Sequence, residues 1–508
     1  MMRALSCLCA VWALCLTVAA TPAAAQTFEI SGIRFDSSSY LDESDLRAVS
    51  DPYVGRQIGF ADLQQMLEEL NALYLTAGIP TARAILPPQE IRDGILRVSL
   101  VEATVSELVF EGMPTTSDAF MERNLSLKVG EQPDFQQLER DLIIFDLAHD
   151  IRPQLSFGAG DAPGTTLATV TAEEPKRFEF TGSLDNFGRP ETGEIRGSLF
   201  GRWNSPTGVR DVLSFQAQGS EGAASATVGY SRPVGGGGGR AVAVLSYSQS
   251  QIIGGDFSPL RIESDKISGT LGYRRPVRVR ADSSVMLDFG VAYEQTTSTV
   301  SGITFADIEI ADAYFSAAYT RRMVNASYGF RLGLRVGQAD ARGTSETEGA
   351  FWLLYGQANY ARSLGDHLIF NGSLRYQYAE GENLPVARLM TAGGVGSVRG
   401  YPNDIRGGDS GVILNMQVSA RRPIVLESLS GIELRPFAFV DAAAIVPFRT
   451  GGGFDADQDV LASVGAGVSV KLSERANMLA LVAVPLRNTL GFADKGEARL
   501  YVGLDYTF

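Results

Sequence analysis

Leu389-Met-Thr-Ala-Gly-Gly-Val-Gly-Ser-Val-Arg399-Gly-Tyr-Pro-Asn-Asp-Ile-Arg-Gly-Gly-Asp409-Ser-Gly411 is a long glycine-rich connection set among strand-like stretches. Gly393, Gly394, Gly396 and Gly400 permit positive φ and close backbone approach. Arg399 puts a permanent, fork-shaped cation at its centre. A connection of this length is either functional or disordered. The apolar residues Val395, Val398 and Tyr401 argue for an ordered, packed loop.

On both sides of the loop the sequence alternates. From Lys176 onward helical spacing disappears, and apolar residues recur at every second position, as in Phe178, Phe180, Gly182 and Leu184. Tyr328, Phe330, Leu332, Leu334 and Val336 form one clean apolar face, and Phe370, Leu374, Tyr376 and Tyr378 another. Such runs predict about sixteen strands, an even number in the range of outer-membrane barrels. They begin near residues 177, 193, 211, 222, 240, 264, 283, 306, 322, 351, 367, 411, 432, 459, 476 and 497. In lipid every backbone amide needs a partner, so a sheet that crosses a membrane must close on itself. Arg331, Arg335, Arg375 and Gln377 alternate with the outward positions and are expected to face the lumen, since arginine toward lipid costs roughly 2–4 kcal/mol at mid-depth. Along Leu434 to Ala443, Phe437, Phe439, Asp441 and Ala443 share one face. Asp441 carries a charge, so that face is the inner one. Residue types alone leave Arg399 and Asp441 as two solvated charges or as a pair.

Composition bounds the rest. A chain of 508 residues is expected to hold more than one domain. A net charge of −14 argues against a nucleic-acid partner. Fifty-five glycines among 45% hydrophobic residues suit many short strands and turns. A mean hydropathy of +0.02 excludes a polytopic helical membrane protein but not a barrel with a polar lumen. Met1-Met2-Arg3, the apolar run Ala4 to Val18 and Ala23-Ala24-Ala25 predict a signal peptide spanning 1–25. Cys7, Cys9 and Cys15, the three cysteines, all fall inside it, so no disulfide is expected after cleavage.

Between leader and barrel the sequence predicts two α/β repeats of roughly 70–80 residues, each within the lower range of domain sizes. The first has a strand over Phe28 to Phe35 and a short helix from Leu41 with Asp42 as N-cap. A longer helix from Phe60 to Ala77 is stopped by Gly78, and strands follow at Ala82 to Leu86 and Gly94 to Glu102. The second has a strand from Val105 to Glu111, a helix after Ser117, a helix from Asp134 to Ala148, and strands at Gln154 to Phe157 and Thr166 to Ala172. His149 ends that helix, where a cation suits the dipole. Glu173 and Glu174 read as a solvated linker, and Gly235 to Gly239 as a turn. Only His149 and His367 are available as histidines, and no nucleophile–histidine–acid set or metal-ligand spacing is visible. The chain therefore reads as no enzyme, with no cofactor and no metal.

Val398-Arg399-Gly400-Tyr401 resembles the signature of POTRA-barrel transporters, the superfamily that includes BamA and the two-partner secretion transporters (TpsB). The strand-helix-helix-strand-strand repeats resemble POTRA domains, and Tyr74 to Glu102 looks like the first POTRA of TpsB proteins. The resemblance implies a mainly β chain. Two α/β POTRA domains, at 26–103 and 104–175, would precede a transmembrane barrel of about sixteen antiparallel strands at 176–508. It implies that loop 381–411 folds back into the lumen, with Arg399 on Asp441 and with Val398, Gly400, Tyr401 and Phe439 completing the lock. Ala443 departs from the family, which often has glycine two residues after the aspartate.

The resemblance also implies export of a haemolysin- or adhesin-like TpsA exoprotein across the outer membrane without ATP, the POTRA domains lying in the periplasm. Gln154, Leu155, Ser156 and Phe157 are candidates for holding the client by strand addition. Tyr501 to Phe508 resembles the C-terminal signal read by the barrel-assembly machinery, through Gly503, Tyr506 and Phe508. Outer-membrane lipid would surround the barrel, and the chain is expected as a monomer. TpsB proteins commonly begin with a plug helix. The first strand here starts almost at the predicted cleavage site, so occlusion of the pore would rest on the loop. A BamA-like assembly factor is the alternative reading. A passive porin is a further one, which leaves the POTRA repeats and the Arg399 loop unexplained.

Overall fold

The computed structural model describes residues 27–342, 348–379, 384–429, 431–446, 455–489 and 493–508. The expected leader lies outside them, as do residues 381–383 at the start of the expected loop. Two compact units divide the chain: residues up to 108 with 128–135 and 157–168, and residues 109–127, 136–156 and 169–508.

Phe28–Glu29 (β1) pairs with Gln57–Ile58 (β3), whereas Gly32–Phe35 (β2) belongs to a separate sheet with Ala82–Ile85 (β4) and Ile95–Glu102 (β5), in the order β2-β5-β4. The single strand expected over 28–35 is thus two. Ile30 is wholly buried and the Ser31 amide donates to the Gly94 carbonyl, so the chain steps from one sheet to the other at that point. Helix α1 (Glu43–Ser50) starts after Asp42, and α2 (Phe60–Thr76) turns Leu63, Met66, Leu70 and Tyr74 into the core. The Gly59 amide donates to the Asp62 carboxylate at the start of α2, satisfying an end group the helix leaves open. Gly78, at φ +76°, ends the run in the left-handed conformation a helix stop favours.

Thr104–Glu111 (β6), Gln154–Ala159 (β7) and Thr165–Thr171 (β8) form a sheet in the order β6-β8-β7, so β7 is an edge strand. Helices α3 (Asp118–Asn124) and α4 (Phe135–Ala148) lie between β6 and β7 in sequence.

The barrel begins with Phe178–Asp185 (β9), Arg196–Asn204 (β10), Val212–Gly219 (β11), Ala223–Pro233 (β12) and Arg240–Gln251 (β13). Ile262–Val279 (β14), Ser283–Val300 (β15), Ile303–Arg322 (β16), Ala326–Arg342 (β17) and Gly349–Leu364 (β18) are its longest strands. Leu368–Tyr378 (β19) leads into the loop. The loop carries a small hairpin of its own, Met390–Ala392 (β20) paired with Arg406–Gly408 (β21). Ser410–Ala420 (β22), a three-residue strand Ile424–Leu426 (β23), Ile432–Val446 (β24), Val460–Lys471 (β25), Ala476–Pro485 (β26) and Arg499–Thr507 (β27) complete it.

Sixteen antiparallel strands close the cylinder, with β23 an added piece alongside β24. The predicted strand starts fall within four residues of the observed ones, the largest offset being residue 322 against Ala326. Closure comes from β27 on β9, from Gly503↔Asp185 to Thr507↔Thr181, and the Phe508 amide donates to Phe180. Phe330, Leu332, Leu334 and Val336 are exposed on the outer face, as a lipid-facing strand requires. Between them Arg331 and Arg335 reach Ser316 and Asp312 on the neighbouring strand. Among the described residues no helix is long and apolar enough to cross a membrane.

Candidate functional site

The loop between β19 and β22 packs against the inner wall through a short, highly constrained tip. Gly394 sits at φ +84°, and a Cβ there would meet the Asn403 side chain at 1.7 Å, so only glycine fits. The Ser397 hydroxyl accepts from the Gly393 amide at 2.7 Å and donates to the Gly393 carbonyl at 2.9 Å. The Gly394 amide donates to the Tyr401 carbonyl at 3.0 Å. These bonds tighten residues 393–401 into a turn that presents Arg399 outward from its own backbone.

Arg399 meets Asp441 with its fork. Nε donates to Oδ2 at 2.7 Å, Nη2 to Oδ1 at 2.8 Å, and the backbone amide of Arg399 to Oδ2 at 3.2 Å. The third donor, Nη1, reaches Gln417 Oε1 at 3.1 Å. The Phe439 ring lies against the guanidinium, 3.4 Å from its carbon to the ring centroid. Asn415 donates to Asp441 Oδ1 at 2.8 Å and also to the Ser397 carbonyl. The Asp441 side chain is 0% exposed and that of Arg399 12%. Bidentate pairs of this kind carry geometric specificity. In a buried setting their best-attested use is to select one conformation rather than to add stability.

Val398 and Tyr401 are each fully buried, in a cluster with Ala392, Ile413, Ala443, Ile445 and Leu461. Ala443, standing where the family often has glycine, is accommodated there. The Tyr401 hydroxyl donates to the Ala462 and Arg487 carbonyls, at 3.0 Å each. The Gly400 amide donates to the Tyr501 hydroxyl at 3.1 Å. Arg375 donates to the Gly396 carbonyl at 2.7 Å, and Gln377 to those of Arg388 and Asp409.

Six of the predicted residues therefore converge: Val398, Arg399, Gly400, Tyr401, Phe439 and Asp441. Asn415, Gln417 and Tyr501 join them without having been anticipated. Asn415 and Gln417 occupy inward positions of β22, where a polar residue on every second position is a signal that could have been read. Tyr501 faces inward, 7% exposed, and so stands apart from the outward series Leu504, Tyr506 and Phe508. Tyr506 and Phe508 form an edge-to-face pair at 5.0 Å. Gly503 lies on the inward face against Phe187. Gln154, Leu155, Ser156 and Phe157 lie on the edge strand β7. The Phe157 ring packs against Phe135 at 5.4 Å.

A second buried cluster overturns two expectations. Glu174 is no solvated linker residue: its side chain is 6% exposed. It accepts from the Thr115 amide at 2.9 Å and lies 3.4 Å from Arg210. Arg210 is wholly buried and also donates to Asp150, Nε to Oδ1 at 2.7 Å. A carboxylate has to compensate a buried guanidinium, which is why Glu174 folds inward. His149 is likewise not a cation on the helix end. It is buried between Phe120 and Phe145, with Arg240 3.4 Å from its Nδ1. Burial, reinforced by the Arg240 charge, pushes its pKa down to about 4, so it is neutral at pH 7. Arg240 takes over the helix end by donating to the Ala148 carbonyl at 3.0 Å.

The family described as haemolysin secretion/activation protein ShlB/FhaC/HecB matches residues 164–470, and a POTRA domain of ShlB type matches 28–103. The chain is 24% identical over 489 residues to the heme/hemopexin transporter protein HuxB of Haemophilus influenzae (strain 86-028NP), covering 90% of this chain and 84% of that protein. It is 24% identical to the outer membrane transporter CdiB of Dickeya dadantii (strain 3937) over 412 residues, 76% of this chain and 71% of that one. Among solved structures, CdiB from Escherichia coli superposes with a TM-score of 0.69 at 18% identity, over 96% of this chain and 92% of that one. BamA from Haemophilus ducreyi lacking POTRA domains 1–3 gives 0.56 at 15% identity, over 95% and 100%. At these identities the superpositions speak to the fold alone.

Proposed function

The chain belongs to the haemolysin secretion/activation family (ShlB/FhaC/HecB) and is an outer-membrane β-barrel transporter; from that premise we propose that it exports one partner exoprotein from periplasm to cell surface. The observation that carries the transporter reading is the inserted loop whose Arg399 closes on Asp441, and the family match over residues 164–470 favours export over assembly. A passive-porin reading leaves the POTRA repeats and the Arg399 tether unexplained. In the proposal the POTRA units are residues 26–103 and 104–175, and the barrel is 176–508.

The client, unfolded in the periplasm, adds as an extended segment to the free edge of β7 at Gln154 to Phe157, through main-chain hydrogen bonds. It then threads the lumen past the loop. No ATP is involved, and folding of the client outside the cell gives the motion its direction. The barrel acts as a monomer in outer-membrane lipid, delivered there by the assembly machinery through Gly503, Tyr506 and Phe508.

Disruption of the gene in its own host tests this. The expected result is loss of a single protein from the culture medium with the outer-membrane protein profile unchanged. Loss of many outer-membrane proteins instead would make the chain a BamA-like assembly factor.

A further inference from the structure

The loop touches the wall at a second place, remote from Asp441. Arg388, just before β20, sends Nε and Nη2 to Asp312 Oδ2 at 2.8 and 2.6 Å, and Nη1 to Glu294 Oε2 at 3.2 Å. The other oxygen of Asp312 accepts from Arg335 Nη1 at 2.6 Å, and Lys266 lies 3.0 Å from Glu294 Oε1. The Asp312 side chain is 0% exposed, that of Glu294 8% and that of Arg388 10%. Three cations thus enclose two buried carboxylates, and the loop supplies one of the three. Beside them Leu384 of the loop is buried in a cluster with Ile310, Phe351 and Leu353 of the wall.

These contacts fall on β14 to β18, whereas Asp441 is on β24, five strands round the cylinder from β16. We propose that Arg388 is a second positioning residue, tying the descending limb of the loop to Asp312 and Glu294 independently of Arg399. The chemistry supports separate tethers. Each arginine leaves a buried carboxylate short of a partner if it departs, which is strongly unfavourable. The two sites also share no residue. Release of the tip from Asp441 then leaves the limb against β16, so the loop can swing about Arg388 while staying in the barrel.

The sequence has no cysteine after Cys15, so single cysteines report cleanly. Full-length protein carrying Leu384→Cys or Val398→Cys is treated in whole cells with a membrane-impermeant maleimide. The surface origin of the loop rests on the transporter reading, but labelling reports loop position whether or not any protein is exported. Both sites are buried, so both start protected. Arg388→Met is expected to raise labelling at 384 by about tenfold or more while 398 stays protected. Arg388→Lys, which keeps a charge on Asp312, restores protection at 384 in part. Arg399→Ala does the reverse, exposing 398 and not 384. Heat-modifiable mobility in SDS gels shows that each barrel is folded, and Glu294→Gln serves if Arg388→Met fails to insert. Continued protection of 384 without Arg388, or joint exposure of 384 and 398 in either variant, overturns the proposal.

Discussion

The guanidinium carbon of Arg399 lies 3.4 Å from the centroid of the Phe439 ring while its edge closes on the carboxylate two residues further along the same strand. Residues 439 and 441 share the inward face of β24 because successive side chains of a strand alternate. One strand thereby offers a π-face and an anion to a single arginine. Phe439→Leu keeps the apolar body and removes the π-face. A cation–π contact is worth roughly 0.5–1 kcal/mol at an exposed site and about 2 kcal/mol when desolvated. Single-channel recordings should show the open state several-fold more populated in Phe439→Leu than in the parent.

Asp441→Asn keeps the shape and removes the charge. Arg399 is then a buried cation without its counter-ion, a change that costs about 3–5 kcal/mol. Export should fall as far as in a variant lacking the arginine. Arg399→Lys keeps the charge but cannot bridge both oxygens, and should retain only a minor fraction of export. Quantifying the client in the medium for each variant checks both expectations.

Tyr401→Phe removes a hydroxyl that bonds two carbonyls at the foot of β25 and after β26. The Ala462 carbonyl keeps the Leu486 amide as a donor, so the change removes a hydrogen bond rather than orphaning an acceptor, a loss of about 0.5–1.5 kcal/mol. The loop should stay inserted, because Arg399 is untouched, but the tip should loosen. Proteolysis of the loop from the cell surface should be faster than in the parent and slower than in Arg399→Ala.

His149 makes the end of α4 sensitive to acid. Its pKa is depressed from the usual 6.5 to about 4 by burial and by Arg240. The unfolded segment therefore takes up a proton below about pH 6.5 that the folded one refuses. The stability is complete above pH 6.5 and is lost progressively as pH falls toward 4, up to a limit on the order of 3 kcal/mol. Limited proteolysis around 135–150 should be faster at pH 5 than at pH 7, and His149→Gln should remove most of that difference.

Much of this architecture is legible in the sequence because a membrane wall permits so little. Alternation fixes strand and face at once: along Tyr328 to Val336 the apolar residues point outward with arginines between them, and along Phe437 to Ala443 the charge of Asp441 marks the inward face that Phe437 and Phe439 share. Arg399 and Asp441 stand out for the same reason, since a charge on such a wall needs an explanation. What the sequence hides are partners whose roles depend on three-dimensional closure. Arg388 looks like any loop cation until β16 brings Asp312 beneath it. Glu174 and His149 look exposed by local composition, and only the buried Arg210 and Arg240 beside them reverse that. Ser31 breaks an apparently continuous strand because a distant residue, Gly94, takes its amide.

Transport as proposed depends on the tethered loop. The most direct measurement is the amount of client released into the medium by Arg399→Ala protein that is heat-modifiable and present in the outer membrane at the parent level. The expected result is no detectable release, with the client retained in the periplasm. Release at the parent level by that folded, inserted variant would contradict a role for the tether in export.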